Sequence, residues 1–299
     1  MDTFLRAAVE GLLLGGVYAL IVLGVIVVAK ATSVMNLAVG GILMFLCYFL
    51  WWLMDSVGMN FWAALPIILI AAVLFGLFID RFLIRPLIGR PEAPMVTFVM
   101  TLVLGFSVIH GFAILAFGGT PQVMPDIPIF PEGSVSIGSV TFSWVLLISF
   151  IVGVAMFLVF VAYFRYTKTG LIMRCVSESN LISQSLGINV KRIFSYAWIV
   201  GCISAAIGGL LLGSMFAVDT SIGGFAMMRA LPVLLLAGLT SLPGGFVGAL
   251  MVGLAESLAG TYIDPHISGF RELLPFILMI VILMILPSGL FGTKIIRRI

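Results

Sequence analysis

R-Y-T-K-T-G-L-I-M-R-C-V-S-E-S-N-L-I-S-Q-S-L-G-I-N-V-K-R, from Arg165 to Arg192, is the longest run of this chain that cannot sit in lipid. It carries five basic residues, Arg165, Lys168, Arg174, Lys191 and Arg192, against one acid, Glu178. The sequence on both sides is almost wholly apolar. Hydrophobic residues make up 62% of the 299-residue chain and charged residues 9%, where a soluble domain carries roughly 25% charged residues. The fold class follows: an all-α polytopic membrane protein, one transmembrane domain over residues 1–299, with this insert from 165 to 192 as a polar interruption.

Outward from the insert, the apolar segments number eight or nine. Toward the N-terminus lie Gly11 to Ala29, Leu37 to Met54, Phe61 to Phe78, Met95 to Phe117 and Thr141 to Phe164. Toward the C-terminus lie Ile193 to Val218, Met227 to Leu239, Gly244 to Ala259 and Leu273 to Pro287. The Met227 segment is short for a crossing. Pro243 interrupts the run that follows it, so a glycine-rich hairpin turning at Ser241, Pro243 and Gly244 is expected to be broken or re-entrant. The first span has no small-residue cleavage site after it and reads as retained.

Basic residues set orientation, because positive loops stay in the cytoplasm. The Arg81, Arg85 and Arg90 link, the Arg165–Arg192 insert and the Lys294, Arg297 and Arg298 tail are the positive segments. The Asp55 turn, the Gly118–Val140 loop with Asp126 and Glu132, and the Asp219 and Asp264 links are acidic and belong outside. Nine crossings satisfy this with the N-terminus outside. Arg6 opposes that placement, and eight crossings with a re-entrant pair satisfy the rest. The three positive segments are therefore expected on the cytoplasmic side of the membrane.

No catalytic constellation is visible. Cys47, Cys175 and Cys202 are scattered without C-x-x-C spacing, and His110 and His266 are far apart, so neither a disulfide nor a metal site is expected. No dense basic stripe points to nucleic acid. Asn36, at N-L-A-V-G-G, either bonds free backbone groups at a helix start or touches substrate. His110, with Ser107 before it, either lines a path or bonds a neighbouring helix. Glu256 is either wet at the outer surface or inside the bundle. Thr97, Thr101, Gly40 and Ser204 complete the polar and small positions that a path could use. The mid-span residues otherwise read as nearly free of charge, and no internal repeat is evident.

The insert itself has apolar residues at Leu171, Ile172, Val176, Leu181, Ile182 and Leu186, ended by Gly187. That predicts one or two short amphipathic helices with an apolar stripe to bury. Such a stripe lies on the bilayer surface or docks into a partner's groove.

Six motifs in order give the chain a resemblance. They are G-G-V-Y-A-L at Gly15–Leu20, N-L-A-V-G-G at Asn36–Gly41, R-P-L at Arg85–Leu87 and T-x-x-G-x-x-x-R at Thr167–Arg174 with L-G-I-N at Leu186–Asn189. A-G-L-T-S-L-P-G-G-F-V-G-A at Ala237–Ala249 and L-P-S-G-L-F-G at Leu286–Gly292 follow. Together they resemble the permease subunits of bacterial ABC importers of the branched-chain amino acid transport family. Two departures stand out. Val39-Gly40-Gly41 replaces a more polar segment, and Cys175 and Ser183 stand where alanine is common. The family also handles amides, urea and other small organic compounds.

The resemblance implies a permease that is not an enzyme and holds no nucleotide; the chain has no G-x-x-x-x-G-K-[ST] run. ATP and Mg would be used by two ATP-binding partner subunits. Thr169, Gly170, Arg174, Glu178, Leu186, Gly187 and Asn189 would form the coupling segment on which those subunits dock. A second homologous permease, or a second copy of this chain, would complete the path, and a periplasmic binding protein would deliver a small polar organic substrate. The alternative class is an ion-coupled secondary transporter, which calls for charged residues at the bilayer midplane.

Overall fold

The computed structural model describes residues 2–32, 34–87, 93–131, 133–137, 140–178, 180–239 and 241–292. Arg90, Pro91, Glu132, Lys294, Arg297 and Arg298 lie outside the described residues. The chain is organised around α1, Asp2–Thr32. Residues 13 to 29 of α1 are all buried, so this helix is surrounded by protein and not by lipid. It runs antiparallel along α11, Leu242–Tyr262: Gly11 lies against Gly253 and Leu254, Gly15 against Ala249 and Leu250, and Ile26 against Gly245. Small residues permit these close approaches, which drive helix association where no hydrophobic effect acts. On its other sides α1 meets α6, Trp144–Tyr166, and α9, Val190–Met215.

Among the described residues six helical segments are long and apolar enough to cross a membrane: Asp2–Thr32, Phe61–Leu87, Met95–Phe117, Trp144–Tyr166, Val190–Met215 and Leu242–Tyr262. Three shorter ones complete the bundle: α2, Val39–Asp55, α10, Ile222–Ala237, and α12, Phe270–Ile285. The protein is therefore an all-α polytopic membrane protein, apart from one small feature. Within the expected Gly118–Val140 loop and just beyond it, β1, Ser134–Ile137, pairs antiparallel with β2, Val140–Ser143. V-S-I and V-T-F alternate apolar and polar residues at strand period, which a reading tuned to helices passes over.

Local chemistry sets the helix ends. Asn60 caps α3, Phe61–Ile79, accepting from the Trp62 N–H at 3.3 Å. Ser143 caps α6 through the Val145 N–H, and Ser241 caps α11 through the Gly244 N–H at 3.1 Å. Pro243 sits in the first turn of α11, where a missing N–H costs nothing, so it opens that helix and does not break one. The segment after α3 winds as a π turn, Asp80–Ile84. A second π turn, Leu104–Ile109, separates α4, Ala93–Val103, from α5, His110–Phe117.

Two ends of the bundle are defined by what meets there. At one lie Lys30 of α1, Ser177 and Glu178 of the insert, Ser241 and Pro243 of the α10–α11 turn, and Phe291. At the other lie Glu10, Leu146, Phe216, Ser257, Thr261 and Arg271. The L-P-S-G-L-F-G segment folds back on the first end, where the Leu290 N–H donates to the Leu236 carbonyl at 2.8 Å.

Candidate functional site

The insert forms α7, Lys168–Glu178, and α8, Asn180–Ser185. Thr167 starts α7 by accepting from the Gly170 N–H at 3.0 Å. Gly170 is buried with its α-carbon facing the backbone of Tyr163 and Phe164, so the turn between α6 and α7 is tight. The apolar side chains of the insert, Met173 beside the expected stripe included, divide between two faces. Met173 and Val176 are fully buried against the chain's own helices, whereas Leu171, Ile182 and Leu186 are 55%, 63% and 73% exposed. Thr169 is half-buried; Arg174, Glu178 and Asn189 are exposed. Gly187 has φ 78, and its N–H donates to Gln184 while the Ile188 N–H donates to Ser183, closing the end of α8. Asn189 caps α9, accepting from the Arg192 N–H at 3.2 Å.

The Asn36 region is a second polar focus. Residues 34–38 enter the bundle without helix, and α2 begins only at Val39. Asn36 is buried; its Oδ1 accepts from the Ala38 N–H at 3.0 Å, and its Nδ2 has no partner among the described residues. The Leu37 N–H donates to the Thr101 hydroxyl at 3.4 Å, and that hydroxyl donates to the Phe98 carbonyl at 2.9 Å. Gly41 lies against Gly105, twelve residues into its span from Ala93, or about 18 Å at helical rise. Gly40 lies against Gly223, the second residue of α10.

Two short helices, one following α1 and one following α9, thus overlap by their first turns inside the bundle. The Thr101 hydroxyl, bonded to Met35 and Leu37, sits beside Asn36, with buried Thr97 one turn before it, whereas Gly40 faces α10. His110 is half-buried and lies beyond the π turn. Ser204 is committed elsewhere: its hydroxyl donates to the Leu20 carbonyl at 2.6 Å, holding α9 on α1.

The expectation that the spans are nearly free of charge is wrong. Glu256 of α11 is wholly buried. It accepts from the Tyr18 hydroxyl at 2.9 Å, from Arg229 Nη2 at 2.9 Å and from Arg271 Nε at 3.2 Å. Arg229 is 6% exposed, with its guanidinium over the Phe225 ring at 3.6 Å. One carboxylate therefore ties α1, α10, α11 and α12. A second buried carboxylate, Asp80, takes Arg85 Nε at 2.9 Å and the Ser195 hydroxyl at 2.7 Å, tying the π turn after α3 to α9. Arg229 was missed because M-M-R-A-L-P reads as the margin of an apolar run, and its partner is 27 residues away. The one signal in the sequence was that Glu256, an acid inside a span, needs a cation.

Among the described residues no group of three His, Cys, Asp or Glu side chains is placed to hold a metal ion. Apolar helices packed around a buried central helix define the class: a multi-pass membrane protein. Over residues 7–283 the chain matches the family described as "Branched-chain amino acid transport system / permease component", and it belongs to that family.

Relatives align nearly end to end. The high-affinity branched-chain amino acid transport system permease protein LivH of Salmonella typhimurium is 26% identical over 308 residues, covering 99% of this chain and 98% of the relative. The corresponding protein BraD of Pseudomonas aeruginosa is 26% identical over 311 residues, with the same shares. The probable permease LivH of Methanocaldococcus jannaschii is 23% identical over 282 residues, covering 91% of this chain and 88% of the relative. The chain is thus a transport subunit of the ABC class and not an enzyme, in the inner membrane.

Proposed function

We propose that this subunit forms the translocation path for a small polar organic substrate, an amino acid or related compound, and is driven by ATP hydrolysed with Mg on two partner subunits. The observation that carries the coupling is the split stripe of the insert. Met173 and Val176 fix α7 to the bundle, while Leu171, Ile182 and Leu186 stand exposed beside Arg174 on the same segment. Apolar side chains on a short helix outside lipid need a groove to enter. The Thr169–Asn189 segment is that docking surface. The insert, the α10–α11 turn and the end of α1 then face the cytoplasm, and Glu10, Ser257 and Arg271 face outside.

In this reading all nine helices of span type cross or partly cross, with α2 and α10 as half-spans meeting at Gly40 and Gly223. Asn36, Gly40, Thr97 and Thr101 line the path where these half-spans begin, with His110 farther along. A binding protein delivers substrate outside, and a second permease subunit completes the pore. Ion coupling is disfavoured because Glu256 is already held by two arginines and a tyrosine, which leaves it no role in binding a cation.

Reconstitution tests the reading. ATP-dependent uptake in liposomes holding this chain, its ATPases and the binding protein is expected, with none from an ion gradient alone. Uptake by the chain alone down an ion gradient would refute it. Arg174→Glu should lower the amount of ATPase that co-purifies; unchanged co-purification would restrict Arg174 to contact with lipid head groups.

A further inference from the structure

At the insert's end of the bundle a cavity of about 590 Å³ opens between the last turn of α1, the end of α7 and the α10–α11 turn. Its size is within the range of small-molecule sites, roughly 300–1,000 Å³. Lys30 and Glu178 both line it. Neither forms a salt bridge, with the other or with any described residue. Lys30 is half-buried, so its ammonium has given up part of its water without gaining an anion. Ser241 sits at the wall as the cap of α11. Its oxygen accepts from the Gly244 N–H, which leaves the hydroxyl hydrogen free to donate into the cavity. The positive end of α11 adds to the attraction for an anion there. Met35 and Phe291 supply an apolar wall. Leu171, Ile182 and Leu186, proposed above to meet the ATPase, do not line it.

A cation, an anion and an apolar wall in one cavity match a free amino acid with an apolar side chain. We propose that this cavity is a cytoplasmic binding site for an amino-acid zwitterion, the carboxylate toward Lys30 and Ser241 and the ammonium toward Glu178. Because Lys30 is on the central helix and Glu178 on the insert, a bound zwitterion bridges the two and restrains their relative movement. Product accumulating in the cytoplasm then slows the transporter. The inference rests on the cytoplasmic placement of the insert and on ATP-driven transport.

The test uses the assembled complex, without the binding protein, in nanodiscs. A mixture of the twenty proteinogenic amino acids is tested first by calorimetry and then resolved into single compounds. L-leucine, N-acetyl-L-leucine, L-leucinamide and O-phosphoethanolamine are compared. The expected result is binding of one or more free amino acids, weakened at least about tenfold by removing either charge of the ligand. Glu178→Gln, at an exposed position, and Lys30→Met should each weaken binding by a similar factor. Glu178→Gln keeps the test open should Lys30→Met fail to assemble.

No binding from the mixture, or binding unchanged in Glu178→Gln, overturns the site. Tighter binding of O-phosphoethanolamine than of any amino acid also overturns it, because the occupant is then a lipid head group. ATP-driven uptake is read on the same purified wild-type complex, reconstituted into liposomes with the binding protein. Uptake without binding sinks this inference alone, whereas absence of uptake sinks the reading beneath it.

Discussion

Glu256 has more donors around it than a single negative charge balances, and that imbalance decides what its removal does. Glu256→Ala leaves Arg229 buried at 6% exposure with no anion, while Arg271, at 40%, can still reach water. Breaking a buried pair from one side costs about 3–5 kcal/mol. The expected outcome is a clearly lower thermal midpoint of the solubilised protein and less material in the membrane. Replacing Glu256 and Arg229 together by Met should recover part of the loss, since the buried cation goes with its anion and only the Tyr18 hydroxyl is left buried without its acceptor. Equal stability of Glu256→Ala and wild type would show that the network contributes nothing.

The same residues mark the limit of what the chain discloses before folding. Asn36, Thr97 and Thr101 were legible as polar groups in apolar surroundings, and Thr101 does come to lie beside Asn36. The pairing of Arg229 with Glu256, and of Asp80 with Arg85 and Ser195, was not legible. A span's periodicity says which residues are apolar but not which helices are neighbours.

At the scale of elements, most of the bundle was legible because glycine and serine positions announce close contact. Gly15, Gly16 and Gly24 do carry neighbours on three sides of α1. The late start of α2 was hidden, since Leu37 and Ala38 are as apolar as the helix they precede. The Gly40–Gly223 contact gives this arrangement a direct test. A side chain at either residue would run into the backbone of the other, whereas at Gly224 nothing lies within 4 Å. Gly40→Val and Gly223→Val should lose folded protein, by about 1–3 kcal/mol or more of overpacking, and Gly224→Ala should behave as wild type. Fluorescence-detected gel filtration separates these outcomes; normal elution of Gly40→Val would show that the first turns of α2 and α10 do not abut.

The insert has a matching element-scale test at Gly187, whose left-handed backbone costs other residues roughly 1–2 kcal/mol. Gly187→Val should keep the subunit in the membrane but uncouple ATP hydrolysis from uptake, and Gly187→Asn should be milder. Normal coupled uptake by Gly187→Val would remove the end of α8 from the coupling path.

For the whole molecule, orientation is the property from which the remaining functional assignments follow, and the native cysteines can report it without any substitution. Cys47 and Cys202 are buried and Cys175 is exposed. Cys175 lies on α7, at the bundle end shared with Lys30 and Ser241 and opposite Glu10 and Arg271. A membrane-impermeant maleimide should therefore add a single label, to inside-out vesicles and not to right-side-out ones. Denaturation should then expose the other two thiols. Adding the ATPase subunits should slow the labelling if, as proposed, they dock on α7. Labelling of intact right-side-out vesicles would put the insert outside. The positive-inside argument, the coupling assignment and the cytoplasmic zwitterion site would then fail together, while the buried Glu256 network and the Gly40–Gly223 contact, which do not depend on sidedness, would stand.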